Sequence, residues 1–196
     1  MKGVIILLSK LAEEVKNTVV TTVKGADDVL DALRGAVKGQ VVGLLRDVTD
    51  VATESLDSVV EVVGGAVAGA GELGASVVSV AKNAVVAAVS GVSEAGGNVL
   101  TAISKATHGA IVGAGDAGAD LGEVAVSVVE GAMEVAQKVG VGTTDVVRES
   151  VVGVVHAADE IGSEAGSVVR KALLSAVALP HDLIEAAIKG VDEKKG

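Results

Sequence analysis

The sequence lacks several residue types that most folded proteins use. It has no cysteine, phenylalanine, tyrosine or tryptophan, and proline occurs once, at Pro180. Without cysteine, disulfide bonds and thiolate catalysis are excluded. Because aromatic side chains normally dominate core energetics, burial here must come from many small contacts of Val, Ala, Leu and Ile. Such a composition is typical of a repeated packing surface.

The chain also lacks clustered positive charge and long uncharged runs. Its formal net charge is −10, whereas nucleic-acid binding needs clustered Lys and Arg, commonly with aromatic stacking residues. The longest stretch without Asp, Glu, Lys or Arg is Asn83–Ser93, eleven residues, against about 20 for a transmembrane helix. We therefore predict no nucleic-acid partner and no transmembrane span. Val4–Leu8 does not qualify as a signal peptide, which predicts a cytoplasmic protein by default, with membrane or lipid association as the alternative.

The sequence does contain an 11-residue repeat that runs almost from end to end. Stepping by eleven from Val4, sixteen positions hold only Val, Ala or Ile, and the next step reaches Pro180. Eleven residues make three helical turns at about 3.67 residues per turn, so these positions share one helix face. We call them the reference column: Val4, Val15, Ala26, Val37, Val48, Val59, Ala70, Ala81, Val92, Ile103, Ala114, Ala125, Ala136, Val147, Ala158 and Val169.

The register of this repeat predicts the fold class. Positions three and seven after the reference column are mostly Val, Leu and Ala, which widens the apolar face to about 130°. The opposite line carries charges such as Asp28, Glu72 and Lys138. Because no insertion disturbs the register, we predict an all-α fold of long continuous or kinked amphipathic helices. These helices would pack side by side in an oligomeric bundle, tube or filament.

Glycine follows two patterns of its own. One glycine recurs every 22 residues from Gly74 to Gly162, and other glycines form pairs four residues apart. Small residues at this spacing let helix backbones approach closely, although low-complexity drift is an alternative explanation. We predict that these glycines form helix-packing or assembly contacts: Gly39, Gly43, Gly65, Gly69, Gly74, Gly96, Gly109, Gly113, Gly118, Gly122, Gly140, Gly162 and Gly166.

These glycines also weaken an isolated helix. In all, twenty-two glycines of the chain fall between Gly35 and Gly166, which costs roughly 20 kcal/mol of helix propensity relative to alanine. A neighbouring helix or a lipid surface must supply compensating burial. Pro180 ends the repeat because it lacks an amide donor. We thus divide the chain into a repeat region, 1–179, and a short Pro-initiated helix with a frayed tail, 180–196.

Residues that carry catalysis are sparse. His108, His156 and His181 fall in three different columns of the repeat, so a continuous helix would keep them apart. The sequence has no metal-ligand cluster, phosphate-binding loop or nucleophile elbow. We predict a protein that is not an enzyme and has no cofactor, bound metal or small-molecule substrate.

One segment resembles known protein families. Val62–Gly71, which reads Val-Val-Gly-Gly-Ala-Val-Ala-Gly-Ala-Gly, and Val85–Gly91 resemble the 11-residue-repeat helices of synucleins and perilipins. The 22-residue superperiod is similar to that of exchangeable apolipoproteins. The resemblance implies amphipathic helices that lie on lipid surfaces.

Two functions therefore remain open. In the first, the chain is a structural protein whose partner is itself, a homo-oligomer assembled through its glycine flanks and its Val-rich face. In the second, it is a coat that lays its apolar face on a membrane, vesicle or lipid droplet. The paired small residues favour self-assembly, since they suit helix-on-helix packing.

Overall fold

A computed structural model of the protein describes residues 26–46, 56–73 and 75–193. In these ranges the chain forms eight helices and no strand, so the prediction of an all-α fold with helices packed side by side is confirmed. The helices are α1 (Ala26–Arg46), α2 (Asp57–Glu72), α3 (Val77–Glu94), α4 (Val99–Asp116), α5 (Leu121–Val139), α6 (Thr143–Ile161), α7 (Ser163–Ser175) and α8 (His181–Glu193).

The long continuous or kinked helices that the repeat predicts are not seen in these residues, whose helices contain 13 to 21 residues. The chain turns at glycines of the 22-residue period. Gly96, Gly118 and Gly140 have φ angles of +76°, +66° and +76°, a left-handed conformation that is costly for other L residues. After α3, the amide of Gly97 donates to the carbonyl of Val92 (2.9 Å), which closes the helix in a Schellman-type turn.

A polar side chain caps the start of α3, α4 and α5. Ser76, Asn98 and Asp120 stand immediately before α3, α4 and α5 and accept a hydrogen bond from the backbone amide three residues later, at 3.3, 3.0 and 3.0 Å. Such N-caps satisfy amides that lack a partner within the helix. The 22-residue period therefore encodes a helix of 18 or 19 residues, a glycine turn and a cap.

The helices form two layers. Apart from contacts with its chain neighbours, each helix packs against the helix two places away. Helices α1, α3, α5 and α7 thus make one layer, which we call the odd layer, and α2, α4, α6 and α8 make the even layer. The chain crosses from one layer to the other at every turn. Helical repeat proteins stack in this way, each unit contacting only its neighbours.

The two layers bury the reference column between them. From Val37 onward, every described member of the column is at most 4% exposed; these are Val37, Val59, Ala70, Ala81, Val92, Ile103, Ala114, Ala125, Ala136, Val147, Ala158 and Val169. Val48 lies outside the described residues. The burial that the glycine-rich helices require comes, for these residues, from the same chain.

Helix α8 begins directly after Pro180 and packs on α6. Its buried face consists of Ile184, Ala187, Ile188 and Val191. The predicted frayed tail begins at Asp192, but Asp192 and Glu193 still belong to α8. The rest of the tail, 194–196, lies outside the described residues.

Candidate functional site

Glycines of α4 lie directly on the backbone of α2. A Cβ atom at Gly109 would collide with the carbonyl oxygen of Val60, and one at Gly113 would collide with that of Gly64. Because both pairs advance by four residues in the same direction, α2 and α4 run parallel. No larger residue fits either position without separating the two helices.

The same contact recurs along both layers. In the even layer, Gly153 of α6 lies on the carbonyl oxygen of Ser104 in α4. In the odd layer, a Cβ at Gly131 of α5 would lie 3.2 Å from the carbonyl oxygen of Lys82 in α3. In these contacts, as in those between α4 and α2, the glycine follows its carbonyl partner by 49 residues. One two-helix unit of 44 residues plus about one helical turn thus sets the register between neighbours.

Helix α1 exposes the face that later odd helices bury. Gly43 corresponds, one and two units later, to Ala87 and Gly131, and Gly39 corresponds to Asn83. These three later residues are buried. In contrast, Gly39 and Gly43 are exposed, and no atom of the described residues lies within 4 Å of a Cβ built at either one. We call this surface, with the exposed Gly35, the glycine row of α1.

Helix α2 shows the same difference in the even layer. Gly65 and Gly69 correspond to Gly109 and Gly113, which lie on α2. No described atom lies within 4 Å of a Cβ at Gly65 or Gly69. Both helices at the amino-terminal end of the described stack therefore present small residues where their counterparts contact a neighbour.

The other predicted glycines in the described residues either pack against side chains of the same chain or lie at its turns. A Cβ at Gly122 would lie 3.0 Å from Cβ of Ala172, and Gly166 lies against the carboxylate of Asp159. Gly162 forms the break between α6 and α7, and Gly74 lies outside the described residues. The turn positions are held by Gly96, Gly118 and Gly140.

Several contact glycines escaped the sequence analysis. Gly64, Gly91, Gly131 and Gly153 all meet a neighbouring backbone within 3.2 Å of a Cβ. None of these four has another glycine four residues away, so the search for glycine pairs did not include them. The recurrence of glycine at 65, 109 and 153, 44 residues apart, was the signal that could have identified Gly153.

The carboxyl-terminal helices are joined by an ion-paired cluster. Arg170 of α7 donates to both carboxylate oxygens of Asp159 in α6, at 2.7 and 2.9 Å, and to Asp192 of α8 at 2.7 Å. The bonds to Asp159, and secondarily those to Asp192, raise the pKa of Arg170 above its usual value. The outer face of α8 is polar, with His181, Asp182, Lys189 and Glu193 exposed.

The three histidines lie on three different helices, α4, α6 and α8. Nε2 of His108 lies 3.4 Å from a carboxylate oxygen of Glu160. Burial lowers the pKa of His108 from its usual value, and Glu160 opposes that effect only in part. His156 and His181 are exposed on other helices.

Two open surface grooves lie beside α5, one bounded by Asp120, Leu121 and Ser163 and the other by Gly122, Val126 and Ala176. In the part of the chain that the structure describes, no group of three His, Asp or Glu side chains could hold a metal ion. By length and composition alone, α3 could cross a membrane, a test that buried core helices also pass; 56% of its residues are buried inside the protein.

The sequence matches no protein-family model and no curated protein.

Proposed function

We propose that the protein is a non-enzymatic structural protein that self-assembles, with its glycine row of α1 as the contact surface. The observation that carries this proposal is the difference between equivalent positions: Gly43 is exposed, whereas Ala87 and Gly131 are buried on a preceding helix. A second copy of the chain would bury the row as the intramolecular neighbours bury its counterparts. The expected product is an oligomeric bundle, tube or filament.

The composition of the row supports close packing between chains. Gly35, Gly39 and Gly43 are four residues apart, so they line one side of α1 and leave its backbone accessible. Helices whose contact residues are small approach closely and gain many van der Waals contacts.

The test is sedimentation velocity over a concentration series with two matched variants. Gly39→Leu places a large side chain in the row, whereas Gly190→Leu makes the same change at an exposed helical glycine of α8, also without described atoms within 4 Å. We expect wild type and Gly190→Leu to associate alike. Gly39→Leu should weaken association by at least about 30-fold, or about 2 kcal/mol, as for a central interface residue. A wild type that stays at 19.1 kDa at every concentration would contradict the proposal.

A lipid coat is the alternative, suggested by the resemblance to synuclein and perilipin helices. The reference column is buried between the layers, so the two layers would have to separate before the column could meet lipid. That separation costs the interlayer packing, which is why we place self-assembly first. Flotation of the protein with phospholipid vesicles, together with a change in helicity, would reverse this order. Association of the protein in sedimentation velocity without vesicles, together with no flotation when vesicles are added, supports self-assembly.

A further inference from the structure

Helix α8 departs from the repeat that places the other even helices. Helix α6 begins at Thr143, 44 residues after α4, and the same step would start α8 at residue 187. Instead α8 begins at His181. It packs on α6, and its buried face carries large apolar side chains such as Ile184, whereas no described atom lies within 4 Å of a Cβ at its Gly190. The contact of α8 with α6 is therefore not the glycine-on-backbone contact that joins α2 to α4 and α4 to α6.

Arg170 of α7 holds α8 in this position. Its guanidinium group donates hydrogen bonds to Asp159 of α6, at 2.7 and 2.9 Å, and to Asp192 of α8, at 2.7 Å. One side chain thus ties the last three described helices together. The place of α8 on α6 is fixed by apolar burial and by charge at the same time.

The surface that α8 turns to solvent is polar. Its exposed residues include His181, Asp182, Lys189 and Glu193. In the odd layer, α7 likewise exposes polar residues, apart from Val168. A further helix laid on this end would bury charged groups, which is costly unless they gain partners. The amino-terminal end presents the glycine row of α1 instead, so the two ends of the described stack are unlike.

We propose that α8 is a cap that prevents a second copy of the chain from continuing the stack at this end. Terminal units with a polar outer face have that role in stacked repeat proteins. The inference rests on the self-assembly proposed above and limits its product. A second copy that continued both layers would pack its α1 and α2 on α7 and on the even helix at this end, and α8 closes that surface.

The cap determines the size of the assembly. Head-to-tail contacts join two unlike surfaces and produce rings or open filaments. With the carboxyl-terminal end closed, the glycine row of α1 meets the same row of a second copy. A contact between identical surfaces is closed by a two-fold axis, so association stops at a dimer.

Sedimentation velocity over a concentration series tests the cap in the full chain. We expect wild type to approach twice its mass of 19.1 kDa and to grow no further. Gly190→Leu, on the exposed face of α8, should form the same dimer with the same affinity, because that face stays in solvent. Growth beyond the dimer, or association that Gly190→Leu weakens by about tenfold or more, overturns the cap and leaves self-assembly standing. A wild type that stays at 19.1 kDa refutes self-assembly and the cap with it.

Mixing two variants shows which surfaces meet. A trace of chain labelled through Glu123→Cys is titrated with an excess of unlabelled Gly39→Leu or of unlabelled wild type. In a two-fold dimer both partners contribute the row, so Gly39→Leu should bind about fivefold or more weakly than wild type, because one leucine carries about half the free-energy loss of two. In a head-to-tail chain, Gly39→Leu would still offer an intact carboxyl-terminal end. Equal affinity of the two titrants would therefore overturn the cap.

Release of α8 should remove the limit on size. Ile184→Asp places a carboxylate at a fully buried position of α8, so the helix should leave α6, and faster trypsin cleavage after Lys189 reports that release. We expect the released protein to form particles larger than a dimer whose size rises with concentration. Faster cleavage with association that still stops at the dimer overturns the cap. Asp192→Lys, which sets a like charge against Arg170, makes the same test with the same two readouts if Ile184→Asp loses its helicity.

Discussion

Replacing Gly153 by alanine tests the close packing of α4 and α6. The new Cβ would collide with the carbonyl oxygen of Ser104 and with the hydroxyl oxygen of Thr107. Neither group can move easily: the carbonyl belongs to the α4 backbone, and the buried Thr107 hydroxyl lies 2.9 to 3.3 Å from the carbonyls of Ile103, Ser104 and Ser150. The helices must therefore separate.

The magnitude follows from two opposing effects. Separation by on the order of 1 Å forfeits a quarter to a half of each affected van der Waals contact, and overpacking of this kind costs about 1–3 kcal/mol. Alanine returns up to about 1 kcal/mol through its higher helix propensity. At Gly190, where no described atom lies within 4 Å of a Cβ, only the favourable effect operates. Because the propensity gain is common to both variants, we expect Gly153→Ala to be less stable than Gly190→Ala by the overpacking cost, about 1–3 kcal/mol.

Urea unfolding followed by far-ultraviolet circular dichroism measures this difference. Both variants and the wild type are compared at one protein concentration, so that association contributes equally. With m values of about 1–3 kcal/mol/M, the two urea midpoints should differ by about 0.3–3 M, with that of Gly153→Ala the lower. If Gly153→Ala unfolds at or above the midpoint of Gly190→Ala, the packing argument fails.

Two further predictions concern charged groups. Arg170→Ala should destabilise the protein by about 2–3 kcal/mol, because it removes the charge-assisted hydrogen bonds that Arg170 donates to the carboxylates of Asp159 and Asp192. Lys189→Ala, which removes an exposed pair with Glu185, should change stability by less than about 0.5 kcal/mol in the same urea assay. His108 has a folded-state pKa below its unfolded value, so its contribution is present above about pH 6.5 and is lost as pH falls below that value. Wild type should therefore lose more stability than His108→Gln between pH 7 and pH 5, and parallel stability profiles would contradict this reasoning.

The buried face could be predicted from sequence, but the path of the chain could not be deduced from the 11-residue period alone. A unit of 22 residues contains two 11-residue steps, so the reference column keeps its register whether the helix continues or turns back. Ala81 and Val92 lie in α3, and Ile103 and Ala114 lie in α4, at the same relative positions. An unbroken register therefore does not distinguish one long helix from equal hairpin units.

The turns had a local signal that the periodicity analysis passed over. Gly96 and Gly118 are each followed two residues later by a capping side chain, Asn98 and Asp120. A glycine that ends one helix and a cap that begins the next are recognised signs of helix ends. Reading them together would have divided the repeat into hairpins.

The lateral contacts depend on geometry that sequence spacing alone does not supply. Gly113 meets Gly64 because α2 and α4 lie side by side in one layer with a fixed shift along their axes. Glycine pairs therefore differ in environment although their spacing is the same: Gly109 and Gly113 are buried, whereas Gly39 and Gly43 are exposed. Only the position of a helix within the stack separates these cases.

The distance between spin labels at Glu123→Cys and Ser167→Cys tests most directly the claim that the chain folds back and buries its own apolar column. Both residues are exposed, and they lie 44 residues apart on the neighbouring helices α5 and α7. Helix axes in contact lie about 8–10 Å apart, so the stack predicts a label distance below about 20 Å, measured with excess unlabelled protein to suppress distances between chains. A continuous helix would separate the labels by about 66 Å, at 1.5 Å per residue. The long distance in lipid-free buffer would contradict the account.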